Sequence, residues 1–483
     1  MSRSALPLYR QSFDWEQYCR DYPMPDVFER TVYRWAPERL RVLQNERFMR
    51  CVQAGWNNPF YRRRWSDAGL EPGDIGSLDD IAKLPMFNSD DIKASIDSCP
   101  PFGDIHDVGR SHLASMPFKL QTSGGTTGTP RGTLADPIAW ETQALSTARA
   151  MWIQGARPGD VMQIPMTCSL ANAPWQNYKA CHDFLGILPL TTGSGIVTAS
   201  RQQLDIAFRY GTNMWVSFPE YLTRLAEVCR DELKRDVREL KTKLLRTYLG
   251  PDVEGTLRRS LQDEWGCPVF DTYGTHEIGT GGFDCPERDG MHVMEDTLYL
   301  EIVDVETGLP LLPGEPGNMV VTVFFRNTPP IIRYNLRDRA RIQPESIERP
   351  CGCGSHFRRM GHFLGRSDAM VKLRGVNVYP MACLAAIKSD TRTTGEWVCV
   401  VESKNGRDEM EVRVEVRRDV ASCEGLRERL EARLRDDLGV SVQVVIADQG
   451  SLDELANTGG REGKARRLVD RRPGYSKQTG NTR

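Results

Sequence analysis

Thr122 to Thr133 reads Thr-Ser-Gly-Gly-Thr-Thr-Gly-Thr-Pro-Arg-Gly-Thr. Gly124, Gly125 and Gly128 are interleaved with hydroxyl side chains, and Pro130 and Arg131 close the run. Glycine tolerates the positive-φ backbone that lets several N–H groups converge, so this loop can turn amides and hydroxyls around a phosphate chain. It is not a Walker loop, which needs Gly-x-x-x-x-Gly-Lys-Ser/Thr ahead of a helix. A flexible glycine–threonine surface loop is the competing reading.

Outward from this loop, short apolar runs at Val161–Pro165, Leu244–Leu249 and Pro268–Tyr273 have the look of covered strands. Amphipathic helices are expected over Arg39–Val52 and Glu220–Lys234, the second burying Leu222, Leu225, Val228, Cys229 and Leu233. Strands alternating with helices imply an α/β fold with parallel layers. From Thr297 the pattern changes to an antiparallel β unit: Leu298–Val305 alternates, a Gly/Pro-rich turn follows, and Met319–Phe325 is apolar. Beyond Arg366 a smaller α+β module begins. It has two strands joined at Lys404-Asn405-Gly406, a helix over Glu424–Leu438 and a strand over Val440–Ile446. The division expected is a large multi-layer domain, 1–366, and a small mobile domain, 367–483.

The chain has 483 residues, 40% of them hydrophobic and 27% charged, with a net charge of -2. That size exceeds one ordinary core. The charge gives no pull toward nucleic acid or an anionic membrane, and no stretch approaches ~18 consecutive apolar residues. A cytoplasmic enzyme is expected, with a homo-oligomer left open. The 13 cysteines are odd in number and scattered, unlike a secreted disulfide framework. Most read as small buried hydrophobes. Cys351 and Cys353 flank one glycine, and Cys285 precedes His292 in Cys-Pro-Glu-Arg-Asp-Gly-Met-His. These turn-rich knuckles supply a Cys₃His set suited to tetrahedral Zn²⁺. Unrelated buried cysteines fit the same spacing.

Several separated motifs resemble one family. Asn58-Pro-Phe-Tyr-Arg-Arg, Asp79-Asp-Ile-Ala-Lys-Leu-Pro, Gly290-Met-His-Val-Met-Glu-Asp, Asp271-Thr-Tyr-Gly-Thr-His-Glu and Ile332-Arg-Tyr-Asn-Leu-Arg-Asp are similar to the phenylacetate–CoA ligase branch of the adenylate-forming superfamily. So are Gly365-Arg-Ser-Asp-Ala-Met-Val-Lys-Leu-Arg-Gly-Val-Asn-Val-Tyr-Pro and Arg461-Glu-Gly-Lys-Ala-Arg-Arg. The likeness spans roughly Pro37 to Arg472.

The resemblance implies an AMP-forming acid–thiol ligase. ATP would activate a carboxylate as an acyl-adenylate, and the thiol of CoA would take the acyl group. Ser123, Gly124, Gly125, Thr126, Thr127, Gly128 and Arg131 would hold the phosphates. Arg131 stands where many relatives have lysine, and Gly124 where many have serine or threonine. Tyr273, Gly274 and Thr275 would contact the nucleotide, with the Tyr273 ring against adenine. Glu277 would hold Mg²⁺, and Asp338 would accept from the ribose hydroxyls. Arg366 would contact the nucleotide, Asp368 would be the hinge, and Gly375 would lie beside the CoA arm. Lys464, Glu277 and Thr126 form the implied catalytic set. Cys285, His292, Cys351 and Cys353 resemble a structural zinc knot found in some members.

The acid pocket is expected after Pro165 and before Tyr273. Trp175, Tyr178, Phe184, Trp215, Phe218 and Tyr248 are the aromatic candidates there, and they suit an aromatic acid better than a long acyl chain. Lys179 and His182 are candidates to meet a second polar or anionic group on that acid. Transfer to an amine or a carrier-protein thiol is an alternative to CoA, and a non-catalytic nucleotide binder is another.

Overall fold

The structure, a computed structural model, describes residues 6–122, 132–252, 254–374, 376–404, 407–420, 422–456 and 465–472. Helix α1 (Trp15–Asp21) starts at Asp14, whose carboxylate accepts from the Glu16 and Gln17 amides. Helix α2 (Pro25–Arg30) follows with proline in its first turn, where no N–H partner is lost. Helix α3 (Pro37–Asn57) extends the expected Arg39–Val52 helix at both ends and buries Leu40, Phe48 and Val52. An antiparallel ribbon then pairs β1 (Lys119–Thr122) with β2 (Gly132–Ala135), bringing Thr122 opposite Gly132. The Asp136 side chain caps α4 (Pro137–Ile153), a helix buried on nearly every side. Arg149 of α4 is fully buried; its Nη1 donates to Asp296 Oδ2 at 2.8 Å and its Nη2 to the Pro23 carbonyl at 2.7 Å. Pro23, in the N-terminal stretch that sequence leaves unexplained, is thus tied to the core around α4.

The central sheet has eight strands. Strand β3 (Val161–Gln163) is followed by α5 (Asn172–Lys179), which runs into a π-helical turn over Ala180–Leu185 and then β4 (Leu188–Leu190). Next come β5 (Met214–Val216), α6 (Pro219–Asp231), β6 (Leu244–Thr247), β7 (Val269–Thr275), β8 (Gly279–Asp284) and β9 (Met291–Val293). A second sheet is antiparallel and consists of β10 (Leu298–Val303), β11 (Gly317–Val323) and β12 (Ile331–Ala340). The last strand of the central sheet is β13 (Arg359–Met360), giving the order β13-β9-β8-β7-β6-β5-β3-β4. Strands β3 to β7 run parallel, whereas β7, β8, β9 and β13 pair antiparallel. The parallel half is covered on both faces, as its continuous apolar strands require. Trp215, Leu245 and Val269 join the core on the α6 side, and Met214, Leu244 and Phe270 join the core on the other.

A hairpin of β14 (Val371–Leu373) and β15 (Val376–Val378) opens the smaller α+β unit. It contains β16 (Thr393–Lys404), β17 (Arg407–Val416), α7 (Leu426–Leu438), β18 (Gln443–Asp448) and β19 (Leu468–Asp470). Its four-stranded sheet has the order β18-β17-β16-β19, with a hydrophobic core that begins at Val371. The expected helix is present and the two expected strands pair antiparallel, while their join at Asn405-Gly406 lies outside the described residues. The strand expected over Val440–Ile446 begins later, at Gln443. Among the described residues no helix is long and apolar enough to cross a membrane.

Candidate active site

Strand β7 passes from the parallel to the antiparallel half of the sheet, and its carboxyl end carries Tyr273, Gly274 and Thr275. A Cβ at Gly274 would meet the Gly279 carbonyl oxygen at 2.3 Å, so only glycine lets β7 turn into β8 so closely. The Tyr273 hydroxyl donates to Asp338 Oδ2 at 2.6 Å, and Arg366 Nη1 donates to Asp338 Oδ1 at 3.0 Å. Burial, then the Asp338 carboxylate, push the Tyr273 phenol well above its ordinary pKa, which keeps it a donor. Arg337 precedes Asp338 with a left-handed backbone (φ 59°), and Asn335 Oδ1 accepts from its amide at 2.9 Å. Three residues distant in sequence thus meet as a ring, a carboxylate and a guanidinium. Asp368 lies in a single 3-10 turn, Ser367–Ala369, directly after Arg366.

Glu277 follows β7 and is 2% exposed. His276 Nε2 lies 3.3 Å from its Oε1. The sequence reading missed the group that holds this corner. Fully buried Arg326 donates through Nη1 to the His276 and Glu277 carbonyls at 3.3 and 3.1 Å, and through Nη2 to the Leu134 carbonyl. Leu134 lies in β2, which leads out of the glycine-rich segment, so one guanidinium ties that segment's exit to the Glu277 turn. A single arginine ending the apolar run from Met319 was the available signal. Gln143 Nε2, on α4, also donates to the His276 carbonyl, at 2.9 Å. Ser123, Gly124, Gly125, Thr126, Thr127, Gly128, Arg131, Gly375 and Lys464 lie outside the described residues.

Cys285, His292, Cys351 and Cys353 converge, their ligand atoms all within 4.8 Å of one another. The Cys285 and Cys351 sulfurs are 3.7 Å apart, and Cys353 Sγ is 3.5 Å from His292 Nε2. Tetrahedral thiolates about 2.3 Å from one zinc ion stand about 3.8 Å apart, so the spacing fits. The Phe357 carbonyl lies 3.2 Å from His292 Nδ1 and leaves Nε2 facing the sulfurs. Cys353 is held down to about 3, first by its hydrogen bond with Cys285 and also by His292. Pairing of Arg359 with His292 across β13 and β9 brings the two knuckles together.

The acid-side candidates divide. Trp215 is fully buried in the core on the α6 side, its ring 5.4 Å from that of Trp265. The expectation that it lines the pocket is corrected: strand alternation turns it to the face opposite Met214. Tyr178 and Phe184 pack on the other face, and Tyr248 is half-buried with its ring 5.5 Å from that of Phe218. Trp175 is half-buried, and its Nε1 donates to the Ser169 carbonyl at 2.6 Å.

Lys179 Nζ lies 2.9 Å from Glu141 and also pairs with Asp183, while Glu141 accepts from the Tyr9 hydroxyl at 2.6 Å. Its charge is met inside the chain, which replaces the expectation that it meets a group on the acid. His182 stacks on Tyr178, pairs with Asp183 at 2.6 Å and leaves 60% of its side chain exposed. Lys179→Met should therefore lower stability rather than change substrate preference. Removing one partner of a buried pair costs about 3 kcal/mol, and adding Glu141→Gln should restore much of it. Urea unfolding of both variants checks this, and an unchanged midpoint in the single variant would dismiss the structural role.

The profile of the AMP-binding enzyme C-terminal domain matches residues 375–472. Phenylacetate-coenzyme A ligase of Thermus thermophilus is 29% identical over 457 residues, covering 90% of this chain and 97% of that one. The phenylacetate-coenzyme A ligase of Escherichia coli is 26% identical over 449 residues, covering 90% and 95%. Over nine-tenths of its length this chain is similar to phenylacetate–coenzyme A ligases. Among solved structures, 2-hydroxyisobutyryl-CoA ligase with 2-HIB-AMP in the postadenylation state matches at a TM-score of 0.79, with 27% identity and 90% of each chain covered. The same ligase in the thioesterification state, with 2-HIB-AMP and CoA, matches at 0.65, with 28% identity and 92% of each chain covered. These likenesses support an AMP-forming acid–CoA ligase with an adenylate-forming fold.

Proposed function

We propose that the protein joins an aromatic carboxylic acid to CoA, consuming ATP and releasing AMP and pyrophosphate. ATP-dependent adenylate formation with transfer to CoA is the activity supported by the likeness to CoA ligases. The observation that carries the nucleotide reading is the meeting of Tyr273, Asp338 and Arg366. Asp338, oriented by two donors, presents a carboxylate to the ribose hydroxyls, and the Tyr273 ring presents a flat face to adenine. A carboxylate resists attack because of its charge, and its approach to the α-phosphate brings two anions together. Cationic groups aimed at the developing charge lower that barrier. ATP enters as its magnesium complex, for which Glu277 is the carboxylate at hand. Lys464 would bridge the acid and the α-phosphate, and the glycine-rich run would hold the phosphates beyond it. A zinc ion held by Cys285, His292, Cys351 and Cys353 would have a structural role, since protein fills every position.

Small-domain rotation at Asp368 would then let Gly375 admit the CoA arm, so that one pocket serves two half-reactions. The aromatic class is favoured by Tyr178, Phe184, Phe218 and Tyr248, gathered on one side of the sheet. Acid-dependent exchange of pyrophosphate into ATP, across a panel of aromatic acids, tests the first step. Addition of CoA, an amine or a carrier protein in turn tests the second. Exchange with at least one aromatic acid and thioester formation only with CoA are expected. No exchange with any acid in the folded protein would overturn the proposal.

A further inference from the structure

Strands β7 and β8 are joined by a tight turn, His276-Glu277-Ile278, whose backbone is held by partners on three segments. Thr275 pairs with Gly279, which takes the left-handed backbone (φ 68°) that so short a loop requires. Thr275 Oγ1 accepts from the Glu277 amide at 3.3 Å. The His276 carbonyl accepts from Gln143 Nε2 of α4 at 2.9 Å and from Arg326 Nη1 at 3.3 Å. The same Nη1 reaches the Glu277 carbonyl at 3.1 Å. Ile278 is buried in the large hydrophobic core and anchors the turn.

On this fixed backbone two neighbouring side chains meet. In an extended strand they would point to opposite faces. Here the turn brings His276 Nε2 to 3.3 Å from Glu277 Oε1, with the side chains 14% and 2% exposed. Ligand atoms bound about 2.1 Å from one octahedral ion, at right angles to each other, stand about 3 Å apart. A nitrogen and an oxygen donor therefore already lie close to the spacing of two adjacent ligand positions. Preorganisation of this kind, with the first contacts held by a second layer of hydrogen bonds, is what a metal site needs.

We infer that His276 is a second protein ligand, through Nε2, to the divalent ion that Glu277 holds with ATP. This rests on the reading of Glu277 given above and deepens it, because a mixed nitrogen–oxygen pair selects among ions. Mg²⁺ is bound through carboxylate, phosphate and water oxygens, whereas imidazole suits first-row transition ions. The site should accordingly favour Mn²⁺ or Co²⁺ over Mg²⁺ more strongly than ATP does by itself.

The test uses the full chain with Mn²⁺ and ATP and without acid, so that no turnover intervenes. Pulsed electron paramagnetic resonance of the bound Mn²⁺ should show a directly coordinated nitrogen nucleus in the native protein. His276→Gln should abolish that signal while Mn²⁺·ATP still binds through Glu277. By calorimetry, the native preference for Mn²⁺·ATP over Mg²⁺·ATP should exceed that of His276→Gln by about 10-fold. His276→Asp offers oxygen instead, so it should bind both complexes with no nitrogen signal and with the extra preference lost. Gln143 and Arg326 grip backbone carbonyls, so these side-chain replacements leave the turn's clamps in place.

A native spectrum without coordinated nitrogen would overturn the assignment and leave a plain contact between the two side chains. So would a nitrogen signal that persists in His276→Gln, since it would then belong to another group. Failure of the Glu277 reading itself would look different. Glu277→Gln would then bind Mn²⁺·ATP as tightly as the native protein.

Discussion

Replacing Lys464 with alanine is expected to slow adenylate formation by about 10²-fold to 10³-fold, the usual loss when one preorganised electrostatic group is removed from a transition state. ATP should still bind, because the Tyr273, Asp338 and Arg366 contacts do not involve this residue. The second half-reaction should also survive: given chemically made acyl-adenylate and CoA, the variant should form thioester near the native rate. That split separates a cation needed for one step from a variant that merely folds badly. Arginine at 464 should rescue little, since a broad guanidinium cannot take the place of a compact ammonium between two anions. Native exchange rates in Lys464→Ala would remove the electrostatic account.

Removal of zinc is expected to have the second large effect. Purified protein should carry one zinc ion per chain, and Cys351→Ser or prolonged chelation should release it. A ligand held at a thousand times its dissociation constant stabilises the native state by about 4 kcal/mol. For a domain of this size that corresponds to about 10 °C in melting temperature. The effect should spread beyond the knuckles, because Phe283, His292 and Phe357 pack with Phe28 and Tyr33 in one cluster of rings. Metal analysis by mass spectrometry and thermal melts with and without chelator provide the measurement. Protein that is stoichiometrically free of zinc and indifferent to chelator would refute the site.

The parts of this molecule legible from sequence were those whose signal is local. Leu222, Leu225 and Val228 repeat at helical spacing, and α6 buries them as expected. The knuckles at Cys285/His292 and Cys351/Cys353 could be read as ligand pairs because turns fix their reach, although only strand pairing brings the pairs together. Sequence could not tell which side of a strand faces a pocket, because in a sheet covered on both faces either side is apolar. That is why Trp215 was misplaced. Partners distant in the chain were also hidden. The bond from Tyr9 to Glu141 spans 132 positions, and without it Lys179 looks like an unattached cation. Arg326 went unnoticed for the same reason. An isolated arginine in an apolar run carries no motif, and its meaning depends on which neutral atoms surround it.

Strand β7 is shared property: β6 with Tyr248 lies along one edge, and β8, leading to the zinc-side strand β9, lies along the other. On the proposed reading the nucleotide and the acid share this strand, so a shift of its backbone on filling one side would reach the other. ATP and the acid should consequently bind with positive cooperativity, each tightening the other's grip by the same factor.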